Sequence, residues 1–266
     1  MLAHGITFDD LAFLQSCKAG LERAISHFDI VAEYDLDTLQ DNYYERIIGF
    51  AEGDFDLIVA IGFMWNDAVL QAAGEYPEIS FILVDAELST PMSNVVSIVF
   101  DVDEAAYPLG YLSACWAVAQ DTANPAVGYV GAMEIPQIMQ FIQPYLNGVA
   151  RFNSENGASV AHHGGFTGNF VDYEGGGSIA DSIIAIGADI IFGVGRQAGN
   201  GALHTAKELG KSGIGVDVDQ FYSYPEVSDI LISSAIKALD NALFAVISSY
   251  MDDALCRRNL RRQPRQ

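Results

Sequence analysis

The chain has 266 residues, half of which are hydrophobic, so it can bury a large core and is not a disordered protein. It carries 35 acidic and 13 basic residues, a net charge of −22, which argues against a nucleic-acid partner because phosphates attract basic surfaces. Its three cysteines are too few and too scattered to predict a disulfide framework or a metal site.

The first half of the chain alternates between helical and strand patterns. Apolar residues spaced three or four apart predict amphipathic helices, and short apolar runs such as Leu57–Ile61 predict buried strands of a parallel sheet. The predicted elements are helix 8–27, strand 29–34, helix 39–52, strand 57–61, helix 65–76, strand 81–85, strand 95–100 and helix 104–120.

A turn-rich connection at residues 121–125 separates this half from a second series of strands and helices. The elements predicted there are strand 126–130, helix 135–156, strand 158–163, helix 178–187, strand 189–192, helix 200–210, strand 213–217, strand 229–233 and helix 235–251, with the glycines at 175–177 in a loop. Two serial α/β halves predict two lobes, each a doubly wound parallel sheet flanked by helices. We expect a first lobe of residues 1–121 and 233–255 and a second lobe of residues 122–232.

The last stretch, residues 256–266, differs from the rest because it carries five of the 13 basic residues and no acidic one. This composition predicts a disordered end or an altered reading frame, and a basic arm for nucleic acid or a membrane is the alternative. The sequence contains no run of about 18 apolar residues that would span a membrane.

Polar and glycine-containing turns follow the predicted strands. Because ligands bind at the carboxyl ends of the strands in open α/β sheets, these turns supply the candidate binding residues. After strand 57–61, Phe63 or Trp65 could stack on a flat ring, and Asn66 could read its polar edges. The alternatives are that Trp65 is a core residue and that Asn66 caps the following helix.

The turns of the second half bring in two charged candidates. Asp217 ends strand 213–217, and its carboxylate could accept two hydrogen bonds from a vicinal diol. Lys237 follows the next strand in a region with little other positive charge, and it could donate to the same sugar or keep Asp217 ionised. The alternative is that Asp217 caps a turn and that Lys237 is a solvated helix residue. Arg196 either pairs with a carboxylate of the cleft or lies exposed.

The motifs of common enzyme sites are absent from the sequence. Neither H-E-x-x-H nor G-x-S-x-G occurs, and His162 and His163 lack further ligands at the spacing of a metal cluster. The glycines at 193, 195 and 199 do not have the spacing of a dinucleotide-binding turn, and no P-loop occurs. We therefore expect no enzyme activity, no cofactor and no metal ion.

Four stretches, in order, resemble one known family. The most specific is G-V-D-V-D-Q at residues 215–220 followed by S-x-x-K at 234–237; the others are residues 10–16 with Gly20 and Leu21, residues 127–136, and residues 187–192. Together they resemble the basic membrane protein family, the purine-nucleoside-receptor type of substrate-binding protein for ABC transporters. The similarity covers nearly the whole chain up to about Tyr250.

This resemblance implies a class I periplasmic-binding-protein-like fold, in which two α/β lobes close on a ligand in a cleft. It implies binding of a nucleoside by aromatic stacking and ribose hydrogen bonds, for delivery to an ABC permease. A purine nucleoside is the favoured ligand. Phe13 and Phe166 match aromatic positions of the family, whereas Leu14 replaces its usual base-reading asparagine. The predicted ligand-binding residues are Asp10, Phe13, Phe63, Trp65, Asn66, Met133, Phe166, Gly195, Asp217 and Lys237.

Members of the family are usually exported, often as lipoproteins, so the resemblance implies an extracytoplasmic protein that reaches the membrane only through a lipid anchor outside this chain. Residues 1–10 show no signal peptide, and the strand expected there is missing or reduced to a stub, which suggests a trimmed front end. A cytoplasmic ligand-sensing regulator on the same fold is the alternative, and a sugar or nucleoside hydrolase is a third. A lipoprotein signal upstream would exclude the regulator.

Overall fold

A computed structural model describes residues 1–5, 7–37, 42–121 and 123–261, with side chains as far as residue 252. These residues form two units. The first unit contains Met1–Phe8, Leu14–Val99 and the chain from Ala238 onward, and the second contains Asp9–Phe13 and Phe100–Lys237.

The first unit is built on a five-stranded parallel sheet, whose strands lie in the order β2-β1-β3-β4-β5. Its apolar strands, such as the fully buried part of β3, require helices on both faces, and Trp65 and Phe81 are the largest side chains of the resulting core. The strands are β1 (Leu2–His4), β2 (Asp35–Asp37), β3 (Leu57–Ile61), β4 (Ser80–Val84) and β5 (Val95–Ile98), and the helices are α1 (Phe13–Phe28), α2 (Tyr43–Ala51), α3 (Asn66–Glu75) and α9 (Leu239–Arg261), with a 3-10 turn at Phe63–Trp65.

The second unit has the same plan, with a parallel sheet in the order β10-β9-β8-β6-β7. Its strands are β6 (Ala126–Gly131), β7 (Ala161–Phe166), β8 (Ile190–Val194), β9 (Ser212–Asp217) and β10 (Leu231–Ile236), and its helices are α4 (Asp103–Gln120), α5 (Pro136–Asn156), α6 (Tyr173–Ala185), α7 (Gln197–Glu208) and the single turn α8 (Gln220–Ser223), with a 3-10 turn at Pro225–Ile230. Tyr145 and Phe192 fill its core. The predicted α/β class, with two doubly wound parallel sheets, is confirmed.

Helices α4 and α5 approach so closely that glycine is required at their contact. A Cβ atom on Gly110 would lie 1.8 Å from the carbonyl oxygen of Tyr145, and one on Gly148 would lie 2.1 Å from that of Tyr107. This packing places α4 in the second unit, whereas the sequence assigned residues 100–121 to the first lobe. A similar contact explains why the glycines at 175–177 are helical and not in the predicted loop, since a Cβ on Gly176 of α6 would lie 2.0 Å from the Ala198 carbonyl oxygen of α7.

The predicted boundaries fail mainly near the ends of the chain. The strand predicted at 29–34 is wrong, because Val31 is exposed and β1 pairs with residues 35–37. The predicted stub of a first strand is β1, which pairs with both β2 and β3. Helix 8–27 begins only at Phe13, and helix 235–251 begins at Leu239, after a longer strand β10. Residues 39–41 of one predicted helix, and residues 262–266 of the predicted tail, lie outside the described residues; α9 itself runs to Arg261.

Candidate functional site

The carboxyl ends of β9 and β10 place two charged side chains next to each other in the second unit. Asp217 ends β9, and Lys237 follows β10 directly; the Lys237 backbone N–H donates to the Asp217 carbonyl oxygen at 2.7 Å. Asp217 has φ +66°, a left-handed conformation that turns the chain away from the sheet at this residue. Its side chain is 6% exposed, and that of Lys237 is 3% exposed. The alternative of a solvated helix lysine is therefore wrong.

Three phenylalanine rings surround the ammonium group of Lys237. Its Nζ atom lies 5.2 Å from the ring centroids of both Phe100 and Phe141, and 5.9 Å from that of Phe13. A cation within about 6 Å of a ring face is attracted by the ring quadrupole, and this attraction increases when water is excluded. The predicted residue Phe13 and the predicted cation thus lie in one cluster, lined by two aromatic residues that sequence reasoning missed.

A buried ion pair holds the predicted residue Asp10. The Arg196 Nε donates to Asp10 Oδ2 at 3.0 Å, and the Ala12 backbone N–H donates to Asp10 Oδ1 at 3.2 Å. Asp10 has no exposed surface and Arg196 is 8% exposed. Arg196 therefore pairs with a carboxylate, and the alternative that it lies exposed is wrong. Arg196 follows Gly195 after β8 and adopts φ +57° and ψ −126°, a backbone conformation that favours glycine.

Two buried amide side chains link the end of β9 to Asp10. The Val216 N–H donates to Gln220 Oε1 at 2.9 Å, Gln220 Nε2 donates to Asn200 Oδ1 at 3.0 Å, and Asn200 Nδ2 donates to the Asp10 carbonyl oxygen at 3.0 Å. Gln220 is 0% exposed and Asn200 is 2% exposed. Gln220 is the last residue of the family motif at residues 215–220, but no sequence signal pointed to Asn200, which lies inside α7.

The remaining predicted residues of the second unit lie after other strands. Phe166 ends β7, three strands from β9, so it is about 14 Å from the end of β9 at the usual strand spacing. Its ring packs over Gly131 and lies 6.0 Å from the ring of Tyr129. Met133 follows β6 and is partly exposed. Gly195 has φ +111°, and a Cβ there would lie 2.5 Å from that of Ala132, so both its conformation and its surroundings require glycine.

The other three predicted residues, Phe63, Trp65 and Asn66, belong to the first unit. Trp65 has no exposed surface and packs edge-on against Tyr43 with the ring centroids 4.7 Å apart, as in the core alternative. Phe63 packs against the same core. Asn66 is the first residue of α3, and its Nδ2 donates to the Glu87 carbonyl oxygen at 3.3 Å.

A pair of tyrosines lies beside this region of the second unit. The hydroxyl groups of Tyr173 and Tyr224 are 3.2 Å apart. Burial raises the pKa of the Tyr224 hydroxyl, and the hydrogen bond to Tyr173 raises it further. Tyr224 also forms a small buried cluster with Leu203 and Val227, against which Leu11 packs. The cluster thus fixes the residue that follows Asp10.

The described part of the chain contains neither a metal-binding cluster nor a membrane-spanning helix. No group of three or more histidine, cysteine or carboxylate residues there could hold a metal ion. None of the helices in residues 1–5, 7–37, 42–121 and 123–261 combines the length and hydropathy that a bilayer crossing requires.

Comparisons with known proteins identify relatives over nearly the whole chain. It is 30% identical over 249 residues to basic membrane protein A2 of Borrelia garinii subsp. bavariensis, which covers 92% of this chain and 70% of that protein. It is 28% identical over 249 residues to an uncharacterized lipoprotein of Pyrococcus furiosus, which covers 91% of this chain and 60% of that protein. The chain therefore spans about 60% of the length of this archaeal relative.

Solved structures with a similar fold also cover nearly the whole chain. A solute-binding protein of an ABC transporter system from Aeropyrum pernix K1 superposes with a TM-score of 0.88 and 26% identity, covering 95% of this chain and 70% of that one. A transcriptional activator of the comK gene from Bacillus halodurans has a TM-score of 0.69 at 18% identity, covering 95% and 82%, and shares the fold alone.

The resemblance found in the sequence is confirmed by the family match. The family described as ABC transporter substrate-binding protein PnrA-like matches residues 1–259. The match includes both parallel sheets and every strand end described above. The chain therefore belongs to the PnrA-like family of ABC transporter substrate-binding proteins.

Proposed function

We propose that this chain is the ligand-binding part of an extracytoplasmic transport receptor. Its ligand is a nucleoside, and purine nucleosides are the favoured candidates. The observation that carries the proposal is the cluster in the second unit, where Asp217 and Lys237 end adjacent strands beside the ring of Phe13. Family membership supports the transport role, and the lipoprotein name of a relative supports an extracytoplasmic location.

The chemistry of the cluster suits a sugar that carries two neighbouring hydroxyl groups. A carboxylate such as Asp217 accepts a hydrogen bond on each oxygen, whereas an ammonium such as Lys237 only donates. Together they match the donors and acceptors of the ribose 2′- and 3′-hydroxyls. Because both groups are nearly buried, these hydrogen bonds would form with little competition from water.

The rings supply the affinity for the base. Stacking on Phe13, with Phe166 as the second ring of the predicted sandwich, would bury apolar surface and give a preference for flat ligands. Asp10 contributes by supporting Phe13 and not by direct contact, since it has no exposed surface and its carboxylate pairs with Arg196. We infer no covalent step, and we propose an ABC permease as the partner that receives the ligand.

The test compares nucleosides that differ only in their hydroxyl groups. Calorimetry should detect binding of inosine or guanosine, and Asp217→Ala should weaken it about 10- to 100-fold, the loss expected for hydrogen bonds to a charged group. The same substitution should leave the weak binding of 2′,3′-dideoxyinosine unchanged. Asp219→Asn is the matched control, because Asp219 is an exposed neighbour that caps α8 and asparagine caps a helix equally well. Equal losses for inosine and dideoxyinosine would exclude the diol contact.

A ligand-sensing regulator is the second candidate, favoured by the fold shared with the Bacillus halodurans activator. Such a protein would bind its ligand in the same way but would carry a DNA-binding module and no lipoprotein signal. Sequencing the gene upstream of Met1 decides between the two. Incubation with nucleosides, followed by chromatography for free base or sugar, tests the hydrolase alternative.

A further inference from the structure

The residues that we assign to sugar and base recognition are joined by one buried hydrogen-bonded path. It runs from the Val216 N–H, next to Asp217, through the side chains of Gln220 and Asn200 to the Asp10 carbonyl oxygen. We propose that Gln220 and Asn200 form a positioning relay that fixes the ring of Phe13 relative to the carboxylate of Asp217. This inference rests on the proposed function, because it assigns the relay a role in nucleoside affinity.

Only a side-chain amide can fill either position of the relay. Each amide accepts a hydrogen bond with its oxygen and donates one with its nitrogen, so the relay has a single direction. A carboxylate in place of Gln220 would turn two oxygens toward each other, and an apolar side chain would leave the Val216 N–H and the Asn200 oxygen without partners. Both residues are buried, so water cannot replace a lost contact, and buried unsatisfied groups are costly.

The far end of the relay is held at a second point. The Leu11 carbonyl oxygen accepts a hydrogen bond from Ser223 Oγ at 2.6 Å, and the Leu11 side chain packs against the Tyr224 cluster. Leu11 itself has φ +64°, a conformation that a leucine keeps only when its surroundings impose it. The contacts at Asp10 and Leu11 therefore set the place of Phe13, which ends the segment Asp9–Phe13 of the second unit.

The experiment replaces one donor of the relay with an acceptor of the same shape. Gln220→Glu keeps an oxygen for the Val216 N–H but faces Asn200 with a second oxygen. The matched control is Gln143→Glu, because Gln143 Nε2 donates to Asn147 Oδ1 at 3.1 Å in an exposed amide pair on α5 of the same unit. We expect Gln220→Glu to raise the Kd for inosine about tenfold and the control to change it less than about twofold.

Two readouts separate positioning from general damage. In a Phe13→Ala background, Gln220→Glu should cause no further loss of inosine affinity, because the relay acts through that ring. Hydrogen exchange of the peptide spanning residues 9–14, measured on the protein without ligand, should be faster in Gln220→Glu than in the control. Asn200→Ser, which shortens the relay without adding charge, should give the same two results and serves if Gln220→Glu does not fold.

The outcomes distinguish this inference from the proposed function. Independent losses in the Phe13→Ala background, or unchanged exchange of residues 9–14 in folded relay variants, would overturn the relay. If inosine and guanosine do not bind the native protein, the proposed ligand is wrong, and the exchange measurement still decides whether the relay fixes the segment.

Discussion

Substitution of Arg196 has two opposing effects on stability, because it removes the ion pair with Asp10 and can relieve backbone strain. Removal of Arg196 leaves the carboxylate of Asp10 buried without its charged partner, which costs about 3–5 kcal/mol. The backbone of Arg196, at φ +57° and ψ −126°, carries strain of about 1–3 kcal/mol in any residue except glycine. We therefore expect Arg196→Ala to destabilise the second unit by about 4 kcal/mol, and Arg196→Gly by only about 2 kcal/mol.

The two tryptophans of the chain make this measurement specific to one unit. Trp116 lies in α4 of the second unit, where its Nε1 donates to Ser212 Oγ at 2.9 Å, and Trp65 lies in the core of the first. In a Trp65→Phe background, urea unfolding followed by fluorescence reports on the second unit through Trp116 alone. The urea concentration at the midpoint should be highest for the parent, lower for Arg196→Gly and lowest for Arg196→Ala. The dependence of the unfolding free energy on urea should stay the same in all three.

An exposed ion pair provides the control for this series. Arg151 and Glu155 pair on the surface of α5 with side chains 59% and 39% exposed, so Arg151→Ala should change stability by less than about 1 kcal/mol. Equal stability of Arg196→Gly and the parent would contradict the prediction, because the free energy of strain relief would then equal that of the lost ion pair. A higher stability of Arg196→Ala than of Arg196→Gly would contradict it as well.

Two further predictions concern packing and charge in the second unit. Gly110→Ala should lower the stability by about 3 kcal/mol in urea, because its Cβ would lie 1.8 Å from the Tyr145 carbonyl oxygen, and an unchanged midpoint would contradict the close helix contact. Lys207→Met should raise the pKa of Asp229 toward 3.8, because the Lys207 ammonium, 2.8 Å away, holds that pKa below its ordinary value. Since the folded-state pKa is the lower one, the Asp229 contribution to stability is present above pH 3.8 and is lost as the pH falls through the folded value. NMR titration of its carboxyl carbon measures the change, and an equal midpoint in both proteins would refute the assignment.

Local sequence patterns correctly predicted the strands that are buried on both faces. The strands at Leu57–Ile61 and Ser212–Asp217 are short apolar runs covered on both faces, so composition alone identifies them. The position of Asp217 at a strand end follows directly from this pattern, and the same rule brought Lys237 close to it. The fold class and the position of these two charged residues at neighbouring strand ends could therefore be predicted from the sequence.

Contacts between distant residues decided what the sequence could not predict. Asp10 and Arg196 are 186 residues apart, and nothing local to either residue identifies the other as its partner. The start of α1 at Phe13 depends on the positive φ of Leu11, which is held by contacts with α7 and α8. Phe141 belongs to the candidate site because the face of α5 that carries it packs against Lys237. Helix periodicity predicts which residues share a face, but it does not predict which residues that face contacts.

The enclosure of Lys237 and Asp217 has a consequence for the conditions under which the protein works. At physiological ionic strength, dissolved salt largely screens the interactions between exposed charges that are more than about 8 Å apart, whereas charges enclosed by protein are screened much less. If these two residues, 3% and 6% exposed, bind the ligand as we propose, their contacts with it should keep their strength from dilute buffer to concentrated brine. The acidic surface, with a net charge of −22 for the whole chain, would respond to salt while the proposed site would not.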